Sequence, residues 1–106
     1  MPKYLLHVNY IGEGINGLLK EGGSSRRAAA EAAAQSVGGR FEAFYYAFGD
    51  TDCYVIADLP SEHAVTALLL LLNSSGRVRI KTTVLIAPED VDAAIKLSPS
   101  YRAPGQ

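Results

Sequence analysis

The stretch RFEAFYYAFGDTDCYVIADL, Arg40 to Leu59, decides the fold. The aromatics of its first half, Phe41, Phe44, Tyr45, Tyr46 and Phe48, suit a pleated, half-buried surface, and Cys53 to Leu59 reads as a second strand. Between the two, Gly49-Asp50-Thr51-Asp52 supplies turn residues, so the spacing predicts a hairpin. A hairpin in mid-chain leaves room for a strand and a helix on either side of it.

Both flanks fit that plan. On the N-terminal side, Tyr4, Leu6, Val8 and Tyr10 alternate with Lys3, Leu5, His7 and Asn9, the period of a strand. Gly12, Gly14 and Gly17 then loosen the chain, and Ile15, Leu18 and Leu19 have helical spacing up to Gly22-Gly23. Ser24 or Ser25 is expected to cap an alanine-rich helix from Arg26 to Val37, which Gly38-Gly39 stops. On the C-terminal side, Pro60-Ser61-Glu62 opens a helix that is apolar nearly all round from Ala64 to Asn73, and Asn73-Ser74-Ser75-Gly76 ends it. Arg77 to Ala87 alternates again, and Pro88 opens a short last helix with Glu89 and Asp90 early and Lys96 late. The order is β-α-β-β-α-β with a terminal helix, which predicts an α+β, ferredoxin-like domain: a four-stranded antiparallel sheet with its helices on one face. Residues 1–97 form this single domain, and residues 98–106, which lack periodicity, are expected to be an extended or mobile tail.

Composition narrows the function classes. Ten Lys and Arg against eleven Asp and Glu give a formal net charge of -1, so bulk charge draws the chain to neither nucleic acid nor anionic membranes. The longest apolar run, Ala67 to Leu72, is far short of the roughly 18 residues that suggest a membrane span. No export signal is read at Met1-Pro-Lys-Tyr-Leu-Leu-His, and a single cysteine suits a reducing compartment, so a cytoplasmic location is expected. Cys53 with His7 and His63 makes no metal-ligand set, and neither a metal nor a cofactor is predicted.

Alternation also assigns faces. Leu6, Val8, Phe41, Ala43, Cys53, Val55, Ala57, Val78, Ile80 and Val84 are expected beneath the helices. The opposite face then holds Leu5, His7, Asn9, Glu42, Phe44, Tyr46, Phe48, Asp52, Tyr54, Ile56, Arg79, Lys81, Thr83 and Leu85. Such a face is too apolar to stand in water, and a second copy of the same sheet is the expected cover, giving a homodimer or a multiple of one. Its polar members need partners or a ligand.

Met1-Pro-Lys-Tyr-Leu, Gly17-Leu-Leu-Lys-Glu-Gly-Gly-Ser, Gly38-Gly-Arg, Glu42-Ala-Phe-Tyr-Tyr-Ala-Phe-Gly-Asp and Tyr54-Val-Ile-Ala-Asp-Leu-Pro together resemble the GYD domain family of small bacterial proteins. The family's Gly-Asp-Tyr-Asp variant reads Gly49-Asp50-Thr51-Asp52 here, so no role of the missing tyrosine is carried over. The resemblance implies a ferredoxin-like fold related to the dimeric α+β barrels, a superfamily of small monooxygenases, lactone isomerases, haem enzymes and ligand-sensing modules. It implies no particular reaction.

The candidate residues follow from the face assignment. His7 has an imidazole suited to acid or base work, and Tyr46 and Tyr54 have phenols that donate to an oxygenated ligand; these three are the catalytic candidates. Asn9, Asp52, Arg79 and Lys81 are the ligand-binding candidates. The reading that results is a homo-oligomeric module holding a small organic ligand at the open sheet face. A cofactor-independent oxygenase or isomerase using His7 with Tyr46 or Tyr54 is the alternative, and a structural or partner-binding protein is the third. The string Gly12-Glu13-Gly14-Ile15-Asn16-Gly17 matches a dinucleotide-binding pattern in letters only, because the required βαβ setting is missing.

Overall fold

The expected hairpin is the near edge of the sheet in the computed structural model, which describes residues 1–106: β2 (Arg40–Tyr46) pairs antiparallel with β3 (Cys53–Asp58). β3 pairs with β1 (Lys3–Tyr10), and β1 pairs with β4 (Val78–Leu85), both antiparallel, giving the order β2-β3-β1-β4. That order is compatible with a ferredoxin-like topology. Two helices connect β1 to β2, α1 (Gly14–Glu21) and α2 (Gly23–Ser36), while α3 (Glu62–Ser74) connects β3 to β4 and α4 (Pro88–Ile95) follows β4. No helix is long and apolar enough to cross a membrane.

Helix ends follow local chemistry, with one departure. The Ser61 hydroxyl accepts from the Ala64 backbone N–H at 3.1 Å and caps α3, as Pro60-Ser61-Glu62 predicts. Neither Ser24 nor Ser25 caps α2, which starts at Gly23 with Gly22 before it. Gly22, at φ +88°, ends α1 and begins α2 with no spacer, a conformation that favours glycine over a capping serine.

One extra residue in β2 rewrites the face assignment. Phe41 stands opposite Ala57, but Ala43 stands opposite Ile56 and Phe44 opposite Val55, so the register slips at Glu42. A bulge of this kind reverses which side each later residue points to. Phe44 and Tyr46 therefore join Phe41 against the core on the helix side, and Ala43 turns to the open face. This corrects the expectation that put Ala43 in the core and Phe44 and Tyr46 on the open face. β2 also ends at Tyr46, so Phe48 lies beyond the strand, where it stacks on the Tyr46 ring at 5.6 Å between centroids.

The core lies between the sheet and α2 and α3. Tyr4 and Leu6 from β1, Cys53, Val55 and Ala57 from β3, Leu59 after it, Ala34 of α2 and Val65 and Leu68 of α3 are buried together. α2 packs on β2, and α3 on β4. The helix cover does not reach the end of β4: Val84, expected in the core, is 62% exposed. The chain then continues as an arm, with Ile86, Val91, Ile95, Leu97 and Tyr101 between 46% and 81% exposed. The arm stretches the molecule to 58 × 32 × 22 Å, and the radius of gyration is 17.1 Å where a compact domain of this length has about 13 Å.

Candidate functional site

The antiparallel registers set the open face in rows. Tyr45, Tyr54, His7 and Lys81 form one row across all four strands. The His7 and Tyr54 rings meet edge to face, 5.5 Å between centroids at 68°, and His7 Nε2 lies 3.1 Å from Thr83 Oγ1. Tyr54 stands directly opposite His7, and Thr83, opposite Leu5, is its diagonal neighbour. Tyr54 and Lys81 are exposed and His7 is half-buried. The row thus presents an imidazole, phenols and an ammonium group side by side, donors suited to the oxygens of a small organic molecule.

Asn9 and Arg79 occupy the next row, with Asp52 where the hairpin loop meets β3. Asn9 Oδ1 accepts from the Asp52 backbone N–H at 2.9 Å, and Asp52 Oδ2 accepts from the Tyr10 backbone N–H at 2.9 Å. Both side chains are thus engaged in closing the end of the β1–β3 ladder. Arg79 forms no ion pair and no side-chain hydrogen bond.

Tyr46 is not in this constellation. Its hydroxyl donates to the Gly23 carbonyl at 3.1 Å on the helix side, so the sheet separates it from His7 and Tyr54. Of the three catalytic candidates, the structure brings together His7 and Tyr54 only.

At the other end of the open face lies a charged cluster that the alternation pattern does not single out. Asp58 is buried and sits in one row with Arg40, Lys3 and Leu85. Lys3 Nζ donates to Asp58 Oδ1 at 2.8 Å and also pairs with Glu42. Arg40 Nε lies 3.2 Å from Asp58 Oδ2, a charge contact whose angle makes no hydrogen bond. The hydrogen bond from Lys3 holds the Asp58 carboxyl below the usual carboxylate range against the opposing effect of desolvation, and the charges of Lys3 and Arg40 add to it. The same hydrogen bond, with that to Glu42, raises Lys3. The available sequence signal is that Lys3, Arg40 and Asp58 all fall at strand ends.

The remaining reactive residue types have structural settings. Cys53 is fully buried, and its thiol is pushed up to about 12, first by burial and then by the charge of Asp52. In the Gly12–Gly17 string, Gly12 serves backbone conformation and Gly14 serves packing. Gly12 takes φ +52°, and a Cβ on Gly14 would stand 2.0 Å from the Arg77 carbonyl oxygen. No three His, Cys, Asp or Glu side chains are grouped so as to hold a metal ion.

The family model described as GYD domain matches residues 4–95. No curated protein matches the chain.

Proposed function

Since the chain belongs to the GYD domain family, whose membership fixes a fold and no reaction, we propose that it works as a homo-oligomeric module that holds a small organic ligand at the open sheet face, with a second copy closing the site. The observation that carries this reading is the arm. A monomer gains nothing by holding Val91, Ile95, Leu97 and Tyr101 in water, and burying apolar area of that kind is the main driving force of association. A second copy fits by charge. The arm presents Glu89, Asp90 and Asp92 without ion partners, and the open face presents Arg79 and Lys81 without ion partners. Under such a cover, the row of Tyr45, Tyr54, His7 and Lys81 becomes the wall of an enclosed site, dry enough for its donors to discriminate between ligands.

The oxygenase or isomerase reading keeps one observation, the edge contact of His7 with Tyr54, and gives up Tyr46. Light scattering together with an NMR titration of the labelled chain tests the proposal. The chain is expected to be a dimer or a multiple of one at low micromolar concentration, with benzoate shifting His7, Tyr54 and Lys81. The Ile95→Asp, Leu97→Asp double variant is expected to be monomeric and to lose those shifts. A native chain that stays monomeric overturns the reading. Turnover of an added substrate that is lost in both His7→Ala and Tyr54→Phe selects the enzyme instead.

A further inference from the structure

We propose that the cleft between α2 and α3, on the side of the sheet away from His7, is a second binding site, built for a small amphipathic anion with an apolar body and one carboxylate-like head. α2 covers the β2 margin of the sheet and α3 the β4 margin, leaving a gap over the middle strands. Ala30, a small side chain on α2, faces Leu72 of α3 across this gap, and the floor is Leu6, Val8 and Val55. This inner chamber has a volume of about 50 Å³, and ten of its eleven lining residues are hydrophobic. An outer cavity of about 290 Å³ adjoins it, and the two share Tyr10, Arg26, Leu72 and Val78 as walls. Small-molecule pockets run from roughly 300 to 1,000 Å³, so the combined space suits a short chain or a single ring.

The mouth supplies the charge. Arg26 and Arg77 both line the outer cavity, with Glu21 as the only carboxylate there. Glu21 Oε2 lies 3.3 Å from Arg26 Nη1, and Arg77 has no carboxylate within ion-pair distance. A guanidinium at the rim of an apolar chamber receives a carboxylate in bidentate fashion. The Tyr10 side chain forms part of the same wall, its phenol kept protonated mainly by burial and further by Tyr46. The site goes beyond the ligand proposed for the open face and shares no residue with the His7 row.

Displacement of 8-anilinonaphthalene-1-sulfonate, followed by fluorescence on the full chain, tests it. The dye is expected to bind saturably, and decanoate to displace it at least tenfold more effectively than decanol, which lacks the charge. Arg77→Gln is expected to weaken decanoate about tenfold, the scale of one lost charge contact, and Arg77→Lys to recover part of this. Ala30→Leu is expected to abolish displacement by filling the chamber, with thermal melts identifying any variant that fails to fold. Equal displacement by decanoate and decanol, or an unchanged decanoate affinity in a natively folded Arg77→Gln chain, overturns the site. So does a gain in decanoate affinity in the Ile95→Asp, Leu97→Asp chain, because the arm of a second copy would then be the occupant. His7→Ala is expected to leave decanoate binding unchanged, which separates this site from the one on the open face.

Discussion

Phe44 of β2 stands opposite Val55 of β3, on the helix side of the sheet. From this pairing follows an aromatic ladder on that side, with Phe41 and Phe44 6.0 Å apart and Phe44 and Tyr46 5.4 Å apart between centroids. The ladder brings the Tyr46 hydroxyl to the Gly23 carbonyl and so ties β2 to the start of α2. Tyr46→Phe removes one neutral hydrogen bond and is expected to cost about 0.5–1.5 kcal/mol in urea unfolding. Self-association and the benzoate shifts should be unchanged. Loss of either would return Tyr46 to the open face.

Asp58 and Lys3 contribute to the pH dependence of stability at opposite ends. A depressed Asp58 stabilises the fold above the unfolded carboxylate value, about 4, and this stability is lost as pH falls through the lower folded value. A raised Lys3 stabilises below the unfolded lysine value, about 10.4, and its contribution is lost as pH rises through the higher folded value. Asp58→Asn is expected to cost about 1.5–3 kcal/mol at neutral pH, the range for hydrogen bonds to charged groups. Urea melts across the acid range should then show a shallower fall in stability for the variant than for the native chain. Parallel curves would deny Asp58 its role.

Gly39 is packed where no side chain fits. A Cβ there would lie 2.4 Å from Leu59 Cδ2 and 2.8 Å from the Asp58 carbonyl oxygen. Gly39→Ala is expected to destabilise by about 1–3 kcal/mol through overpacking. Gly49→Ala is the control: a Cβ there meets nothing within 4 Å, and the change should stay within about 0.5 kcal/mol. Thermal melts of the two variants side by side decide the matter.

Cys53 should be chemically silent. Its thiol is buried and pushed up to about 12, so almost no thiolate forms at neutral pH. Ellman's reagent is expected to react only as fast as the chain unfolds, with full reaction in denaturant. Cys53→Ser leaves a hydroxyl in an apolar setting and should cost about 1–3 kcal/mol. Prompt reaction of the native protein would place Cys53 at the surface.

The element order was legible in the sequence because strand alternation, glycine stops and the Ser61 cap are local signals. The face of Phe44 and Tyr46 was not. A bulge depends on how β2 meets β3, and Glu42 bears no mark of being the extra residue in a run of aromatics. His7, Tyr54 and Lys81 were legible as neighbours because β1, β3 and β4 pair without irregularity, so parity alone carries them to one row. Asp58 was missed because its ion partners come from two other strands, Lys3 of β1 and Arg40 of β2. The cleft was missed for a similar reason, since it is set by the distance between two helices that pack on opposite margins of the sheet.

β1 lies at the centre of the sheet, yet it is translated first, and its register with β4 joins Lys3 to Leu85 and Tyr10 to Val78. The β2–β3 hairpin can close as soon as it emerges, but β1 keeps one edge unpaired until β4 has been made. During synthesis that bare edge, with Tyr4, Leu6 and Val8 along it, is the segment most open to pairing with a neighbouring nascent chain. A nascent chain from which β1, β2 and β3 have emerged and β4 has not therefore holds three strands of the four, and chaperone capture should peak at that length and fall once β4 has emerged.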